Sequence, residues 1–270
     1  MLRESMGLRS AATSQWQDIL ARFGTVSLQQ ISGSATNDRI DTKFVLREEL
    51  VFDLLSDLAG EYLVLDVDSK RHTTYRTQYF DTESFSFFRR HHAGGSNRYK
   101  VRARTYLNTQ VSYVEIKSKT GRGTTTKLRH RTDQFETQLL AGSREFVDDN
   151  CATRAADLRP TLRNNFDRIQ LVSKESPERL TIDLNLEVET GAAPIRLPGI
   201  AVAEFKQERS DRNHRDADFL KRMRAFNVRP TAFSKYCMCL LLTNDDIKHN
   251  RFKPQLRRLN RLMEEPNAYC

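Results

Sequence analysis

Charged and apolar residues alternate along three short segments near the middle of the chain. The first reads Lys100-Val101-Arg102-Ala103-Arg104, the second runs from Tyr113 to Lys119, and the third reads Lys127-Leu128-Arg129-His130-Arg131. Successive side chains of a strand point to opposite faces. The pattern therefore predicts three strands with Lys100, Arg102, Arg104, Glu115, Lys117, Lys119, Lys127, Arg129 and Arg131 on one face. Val101, Ala103, Val114, Ile116 and Leu128 fall on the other and read as core. Similar patterning predicts strands over Arg39–Leu46, Leu63–Asp68, Thr73–Asp81, Pro160–Ile169, Leu180–Val188 and Ala201–Glu208. In the last of these, Glu204, Lys206 and Glu208 share a face. Apolar residues at helical spacing (Leu50, Val51, Leu54, Leu55, Leu58) predict a helix over Arg47–Ala59, stopped by Gly60. A helical turn is expected over Phe85–Arg90, a loop over His91–Asn97, a brief helix over Gln134–Leu140, and longer helices over Asp216–Phe226 and Ser234–Leu242.

An antiparallel sheet with one solvated face accounts for any one of the charged segments. Three such segments of nearly one sign are harder to place on a plain surface, because like charges facing each other across strands destabilise a sheet. A cationic face with few carboxylates suits a polyanion. Glu115 among those cations has two readings, as a partner for lysine and arginine or as a ligand for a divalent metal beside phosphate. About eight strands, polar inward and apolar outward, predict an α+β fold. Its centre would be a closed antiparallel β-barrel with a polar, basic lumen and helices packed outside. One domain is expected over residues 38–244, preceded by a flexible, loosely attached lead-in (1–37) around Trp16, Ile19, Leu20 and Phe23. A basic tail (245–270) follows. The Gly121-Arg122-Gly123 segment reads as a mobile connection and residues 191–199 as a connector.

Composition narrows the partner. A net charge of +9 and a pI of about 9.5 favour an acidic ligand: nucleic acid, anionic lipid or a phosphorylated metabolite. The four cysteines (Cys151, Cys237, Cys239, Cys270) lack zinc-like or disulfide-like spacing, which predicts a reducing, cytoplasmic setting. No segment reads as a membrane span or a signal peptide. None of the six histidines shows metal-ligand spacing, and His91-His92 reads as solvent-exposed.

Several short motifs occur in a distinctive order: Arg39-x-Asp41-x-Lys43-Phe44, Tyr79-Phe80-Asp81-Thr82, Lys100-x-Arg102-x-Arg104-x-Tyr106, Glu115-x-Lys117-x-Lys119 and Lys127-x-Arg129. Phe166-x-Arg168, Arg179-x-Thr181-x-Asp183, Glu204-Phe205-Lys206 and Phe233-Ser234-Lys235-Tyr236 complete the series. In this order they resemble the VTC domain, the polyphosphate polymerase domain of the vacuolar transporter chaperone complex, and above all its stand-alone bacterial relatives. That family lies within the triphosphate tunnel metalloenzymes. The resemblance implies ATP-dependent polyphosphate synthesis, a transferase reaction supported by a divalent metal, usually manganese, in a closed barrel. The chain departs from the wider superfamily's Glu-x-Glu-x-Lys opening: Arg39 and Asp41 stand at the two Glu positions. The arginine is typical of the polymerase branch, and Asp41 is shorter than the usual Glu. Phe166 stands where the family commonly has Tyr.

Phosphoryl transfer needs positioning and charge neutralisation more than covalent help from the protein. Lys43, Arg102, Arg104, Lys117, Lys127, Arg168 and Arg179 are the candidates for cradling a triphosphate, arginine offering forked donors and lysine a compact charge. Arg39, Lys119, Arg129 and Lys206 are further candidates for substrate contact. Ser234 and Lys235 join them at a predicted helix start, where unpaired N–H groups attract phosphate; Ser234 is equally an ordinary helix cap. Glu204 is the first candidate ligand for manganese or magnesium and Glu115 the second. Asp183 reads as orienting a cation or a metal's waters.

The expected substrates are ATP and inorganic polyphosphate. Hydrolysis of tripolyphosphate or nucleoside triphosphate is the alternative, and a non-catalytic sensor of polyphosphate or inositol phosphate is another. The basic tail suits anionic lipid or a protein partner. Nucleic acid fits the charge, but the chain lacks a reading motif or stacking set for it.

Overall fold

The computed structural model describes residues 16–32, 39–121, 124–190, 193–208 and 217–264. Parts of the expected lead-in (1–15 and 33–37), of the Gly121-Arg122-Gly123 connection, of the 191–199 connector and of the tail (265–270) lie outside them. The chain forms two compact units. One comprises the stretches up to Thr73, Arg168–Leu184 and Gly199–Thr231; the other comprises Thr74–Asp167, Asn185–Pro198 and the chain from Ala232.

In the first unit, β2 (Arg39–Arg47) pairs antiparallel with β11 (Ile200–Glu208), which pairs in turn with β9 (Arg179–Glu189). Strand β3 (Tyr62–Leu65) lies antiparallel to β8 (Leu158–Ser173) and parallel to β1 (Gly24–Val26). Alternation gives these strands two unlike faces. Phe44 and Leu46 on β2, Leu180, Ile182 and Leu184 on β9, and Ala201, Ala203 and Phe205 on β11 enter a buried core. Helices α1 (Glu49–Leu58) and α4 (Asp218–Ala225) close it, with Phe219 edge-on to Phe44 and stacked on Phe205. Each such aromatic or leucine side chain contributes about 1.5–3 kcal/mol by burial. The opposite face carries Asp41, Lys43, Thr181, Asp183, Glu204 and Lys206.

The lead-in differs from expectation where it is described. Residues 16–21 are helical, and Trp16, Ile19, Leu20 and Phe23 are buried in the same core, Trp16 stacking on Phe52. Four apolar side chains on one short stretch bind it too firmly for a loose attachment.

In the second unit, β4 (Thr73–Thr82), β5 (Arg98–Tyr106), β6 (Val111–Lys119) and β7 (Thr125–Thr132) form an antiparallel meander, with β8 beside β4. The short β10 (Ile195–Arg196) pairs with β9 through Ile195 and Val188. Val101, Ala103, Val114 and Ile116 pack with Phe80, Phe87, Leu139 and Val147. These contacts bring in helices α2 (Ser86–His92) and α3 (Ala141–Asn150); α5 (Lys235–Thr243) and α6 (Lys253–Glu264) complete the unit.

Several expectations are corrected here. Leu128 is not core but 37 % exposed, because it is the lone apolar residue of an edge strand. The segment Gln134–Leu140 is bent rather than helical, and the helix begins at Ala141. Buried Glu136 accepts the Leu140 N–H and the Ser143 hydroxyl, so this stretch is spent on capping α3. His91 and His92 belong to α2 and are half-buried. Phe252, in the turn just before α6, packs against Phe88 and both imidazoles and so fixes part of the expected tail. The hydrogen-bonded ladder ends at β2 and at β7, and no pairing joins those two strands among the described residues. Closure by hydrogen bonds, as in the expected barrel, is thus not observed. Strand β7 carries Lys127, Arg129 and Arg131 with little apolar content, and charged edges resist a further strand. Among the described residues no helix is long and apolar enough to cross a membrane.

Candidate functional site

The register of β5, β6 and β7 sets the predicted cations in rows. Lys100 faces Lys117, which faces Lys127; Arg102 faces Glu115, which faces Arg129; Arg104 faces Tyr113, which faces Arg131. Lys119 lies at the exposed end of β6, between Arg98 and Thr125.

Glu115 is the centre of this arrangement. Its side chain is 1 % exposed, and one oxygen meets Arg102 at 2.6 Å and Arg104 at 4.0 Å. The other meets Lys127 at 2.6 Å and Arg129 at 2.9 Å. Four cations thus share one carboxylate. Burial opposes its charge, but Arg102, Arg104 and Lys127 prevail and hold Glu115 well below the usual carboxylate range. Burial likewise works against the Arg102 guanidinium, and Glu115 overrides it, so Arg102 is held charged. Lys127 is pushed down to about 7 by burial, with Arg102 and Arg129 adding repulsion and Glu115 opposing both. A third of its side chain stays open, 34 %, and contact with water tempers that push. The surplus of positive charge is a standing electrostatic cost that an anionic ligand would relieve.

Aromatic rings support the same face. Arg104 is buried, donates to the Thr77 hydroxyl and lies over Tyr75 and Phe166, which stack on each other. Lys235 rests over Phe166, 4.5 Å from the ring centre. Of the two roles considered for Ser234, the structure shows the helix cap: its hydroxyl accepts the Cys237 N–H, and it also accepts from Lys100 Nζ at 2.9 Å.

Asp81, whose motif was visible but whose role was not, holds this helix in place. Its carboxylate accepts N–H groups of Thr82, Phe87 and Phe88, capping α2, and the Tyr236 hydroxyl at 2.6 Å. Burial, then Asp81, pushes the Tyr236 phenol far above its ordinary value, so it stays a donor.

The first unit holds a second group of predicted residues. Arg168 grips buried Asp183 with two parallel hydrogen bonds, Nη2 to Oδ2 at 2.7 Å. Lys206 lies 2.7 Å from Glu204 Oε2, whereas Lys43 stands 3.7 Å from Oε1. Arg39 bonds Asp41 at 3.1 Å, and Arg179 donates to the Ile31 carbonyl. Burial, then Arg39, lowers Arg179; burial lowers Lys206 against the pull of Glu204. Glu204 is held well below its ordinary range by Lys206 and Lys43 despite its burial. Arg39, Arg168, Arg179 and Lys206, together with Glu208, line a cavity of about 160 Å³.

The two metal candidates fare differently. Both oxygens of Glu115 are engaged by cations that would repel a metal, so Glu115 does not fit as a ligand. Among the described residues no three His, Cys, Asp or Glu side chains gather to hold one. Magnesium and manganese, however, commonly take one or two carboxylates and fill the other positions with water and phosphate. Glu204 is the less crowded of the two carboxylates, with Lys206 at 2.7 Å on one oxygen and Lys43 at 3.7 Å on the other, and so comes nearer to that pattern than Glu115.

The VTC domain family matches residues 38–244 of the chain. Among solved structures, the chain is similar to a candidate adenylate cyclase from Bacillus halodurans, with 13% identity over 73% of this chain and 94% of that one, at a TM-score of 0.44. A candidate adenylate cyclase from Vibrio parahaemolyticus shares 11% identity over 76% of this chain and 99% of that one, at a TM-score of 0.46. A candidate adenylyl cyclase from Hippeastrum, described as having a dominant triphosphatase activity, shares 14% identity over 75% and 94%, at a TM-score of 0.45. No curated protein matches the chain. The family match supports a polyphosphate- or triphosphate-related function.

Proposed function

The chain belongs to the VTC domain family, and on that premise we propose that it is an ATP-dependent polyphosphate polymerase. The reading rests above all on Glu115, one buried carboxylate among four cations. That surplus suits phosphate oxygens better than any neutral ligand. Arg102, Arg104, Lys117 and Lys127, with Lys119 and Arg129 at the more open positions, hold the triphosphate. Ser234 and Lys235 contribute from the start of α5. Lys43, Arg39, Arg168, Arg179 and Lys206 are assigned phosphate contacts in the first unit.

The terminal oxygen of a polyphosphate chain attacks the γ-phosphorus of ATP. A P–O bond forms there, the bond to the β–γ bridging oxygen breaks, and ADP leaves with the electron pair. Fixed cations stabilise the charge that develops. No side chain is needed as nucleophile. A manganese or magnesium ion held by Glu204 in the first unit would supply charge neutralisation to phosphate bound by that unit. The activity is assigned to the cytoplasm, on the cysteine spacing of the sequence. The basic face of α6 is assigned to an anionic partner.

Purified protein given ATP and manganese is expected to yield a polyphosphate ladder on a gel. Release of orthophosphate alone would reassign it as a hydrolase. Tight tripolyphosphate binding without any product would reassign it as a sensor.

A further inference from the structure

The basic rows on β5–β7 give way to aromatic residues at one end. Tyr113 sits between Arg104 and Arg131, two residues along β6 from Glu115, and Tyr106 lies one step further along β5, opposite Val111. At the usual strand rise, Tyr113 is about 7 Å from the Glu115 row. The two rings meet edge to face, 6.1 Å apart at 86°. The Arg129 guanidinium lies 5.5 Å from the Tyr113 ring centre, and Arg129 Nη2 reaches the Tyr106 hydroxyl at 3.5 Å. Unlike Tyr75 and Phe166, which are buried, both rings are only half-buried. The phosphate reading uses neither of them.

We propose that Tyr113, with Tyr106 as a side wall, is the nucleoside-binding platform of this site. The base of a nucleoside triphosphate stacks there while its phosphates run down the rows of Arg104, Arg102 and Lys127. The inference rests on the phosphate reading above and adds a direction to it: nucleoside at the aromatic end, γ-phosphate toward Lys100 and Lys117. Arg129 links the two regions, because it touches both Glu115 and the Tyr113 ring. A half-open ring offers a π face that any base can use, so the platform gives affinity for nucleotides as a class rather than a choice among bases.

The test compares two ligands on the full chain. Isothermal titration with ATP and with inorganic tripolyphosphate is run on the wild type, Tyr113→Ala and Tyr113→Phe. Loss of one stacked base is expected to weaken ATP binding about 10-fold in Tyr113→Ala. Tripolyphosphate binding should stay within about twofold of wild type, since no phosphate contact is removed, and Tyr113→Phe should restore ATP binding. Equal weakening of both ligands, or of neither, would overturn the platform while leaving the phosphate site standing. Failure of the wild type to bind either ligand would sink the phosphate site and the platform with it.

Discussion

Replacing Glu115 by Gln removes one negative charge from a position where four cations converge. Glutamine keeps the shape and one acceptor oxygen, so the change isolates charge from packing. Breaking a fully buried ion pair costs about 3–5 kcal/mol. Here the cost is smaller, because Lys127 and Arg129 are 34% and 46% exposed and can turn to water, whereas Arg102 and Arg104 are 19% and 5% exposed. A loss of about 2–4 kcal/mol follows. In a chain of this size that is a fall in Tm of roughly 5–10 °C. Thermal melts with and without tripolyphosphate are the assay. The unliganded Gln variant should melt early, and tripolyphosphate should raise its Tm by more than it raises that of the wild type, since the ligand replaces the missing negative charge. The manganese dependence of turnover should keep its midpoint. A wild-type melt combined with a shifted manganese midpoint would refute the counter-ion reading and restore Glu115 as a metal ligand. Because the folded-state carboxyl lies below its unfolded value, its stabilisation is present above about pH 4.3 and is lost as pH falls further through the folded value.

Glu204→Gln should raise the manganese concentration needed for half-maximal turnover, and an unchanged titration would remove Glu204 from the metal. Lys127 has its folded value depressed to about 7, so it sheds its proton as pH rises through that value while the unfolded lysine keeps its own. Its share of stability therefore increases between about 7 and the ordinary lysine range, and tripolyphosphate affinity falls as the cation is lost. Titration calorimetry across pH 6–9 should show that fall in the wild type and a flatter profile in Lys127→Arg. Tyr236→Phe deletes a hydrogen bond to the buried Asp81 carboxylate and should cost about 1.5–3 kcal/mol, read as an earlier melt; a melt like that of the wild type would mean that the contact does not secure α5.

Much of the site was legible because β alternation writes itself into sequence. Lys100, Arg102 and Arg104 against Val101 and Ala103 predicted two faces, and Val101 and Ala103 do enter the core. The role of Glu115 was not legible. A carboxylate among cations reads alike as metal ligand or counter-ion until distances show both oxygens already engaged. Asp81 was hidden for another reason: its partner Tyr236 lies 155 residues away, beyond any local pattern. Helix α3 was missed because Leu140 stands at its N-cap and the capping carboxylate comes from Glu136, outside the usual cap position. Closure of the sheet was over-read, since a charged face says which way side chains point and nothing about which edge strands meet.

Each compact unit is assembled from three separate stretches of chain, which has a consequence for biosynthesis. Lys43 on β2 pairs with Glu204 on β11, so most of the polypeptide must leave the ribosome before the first unit can close its sheet. Until then Phe44 and Leu46 lack the strand that shelters them. Nascent chains should thus depend on chaperones more than their length alone suggests, and no single cut can release either half as an independent fragment.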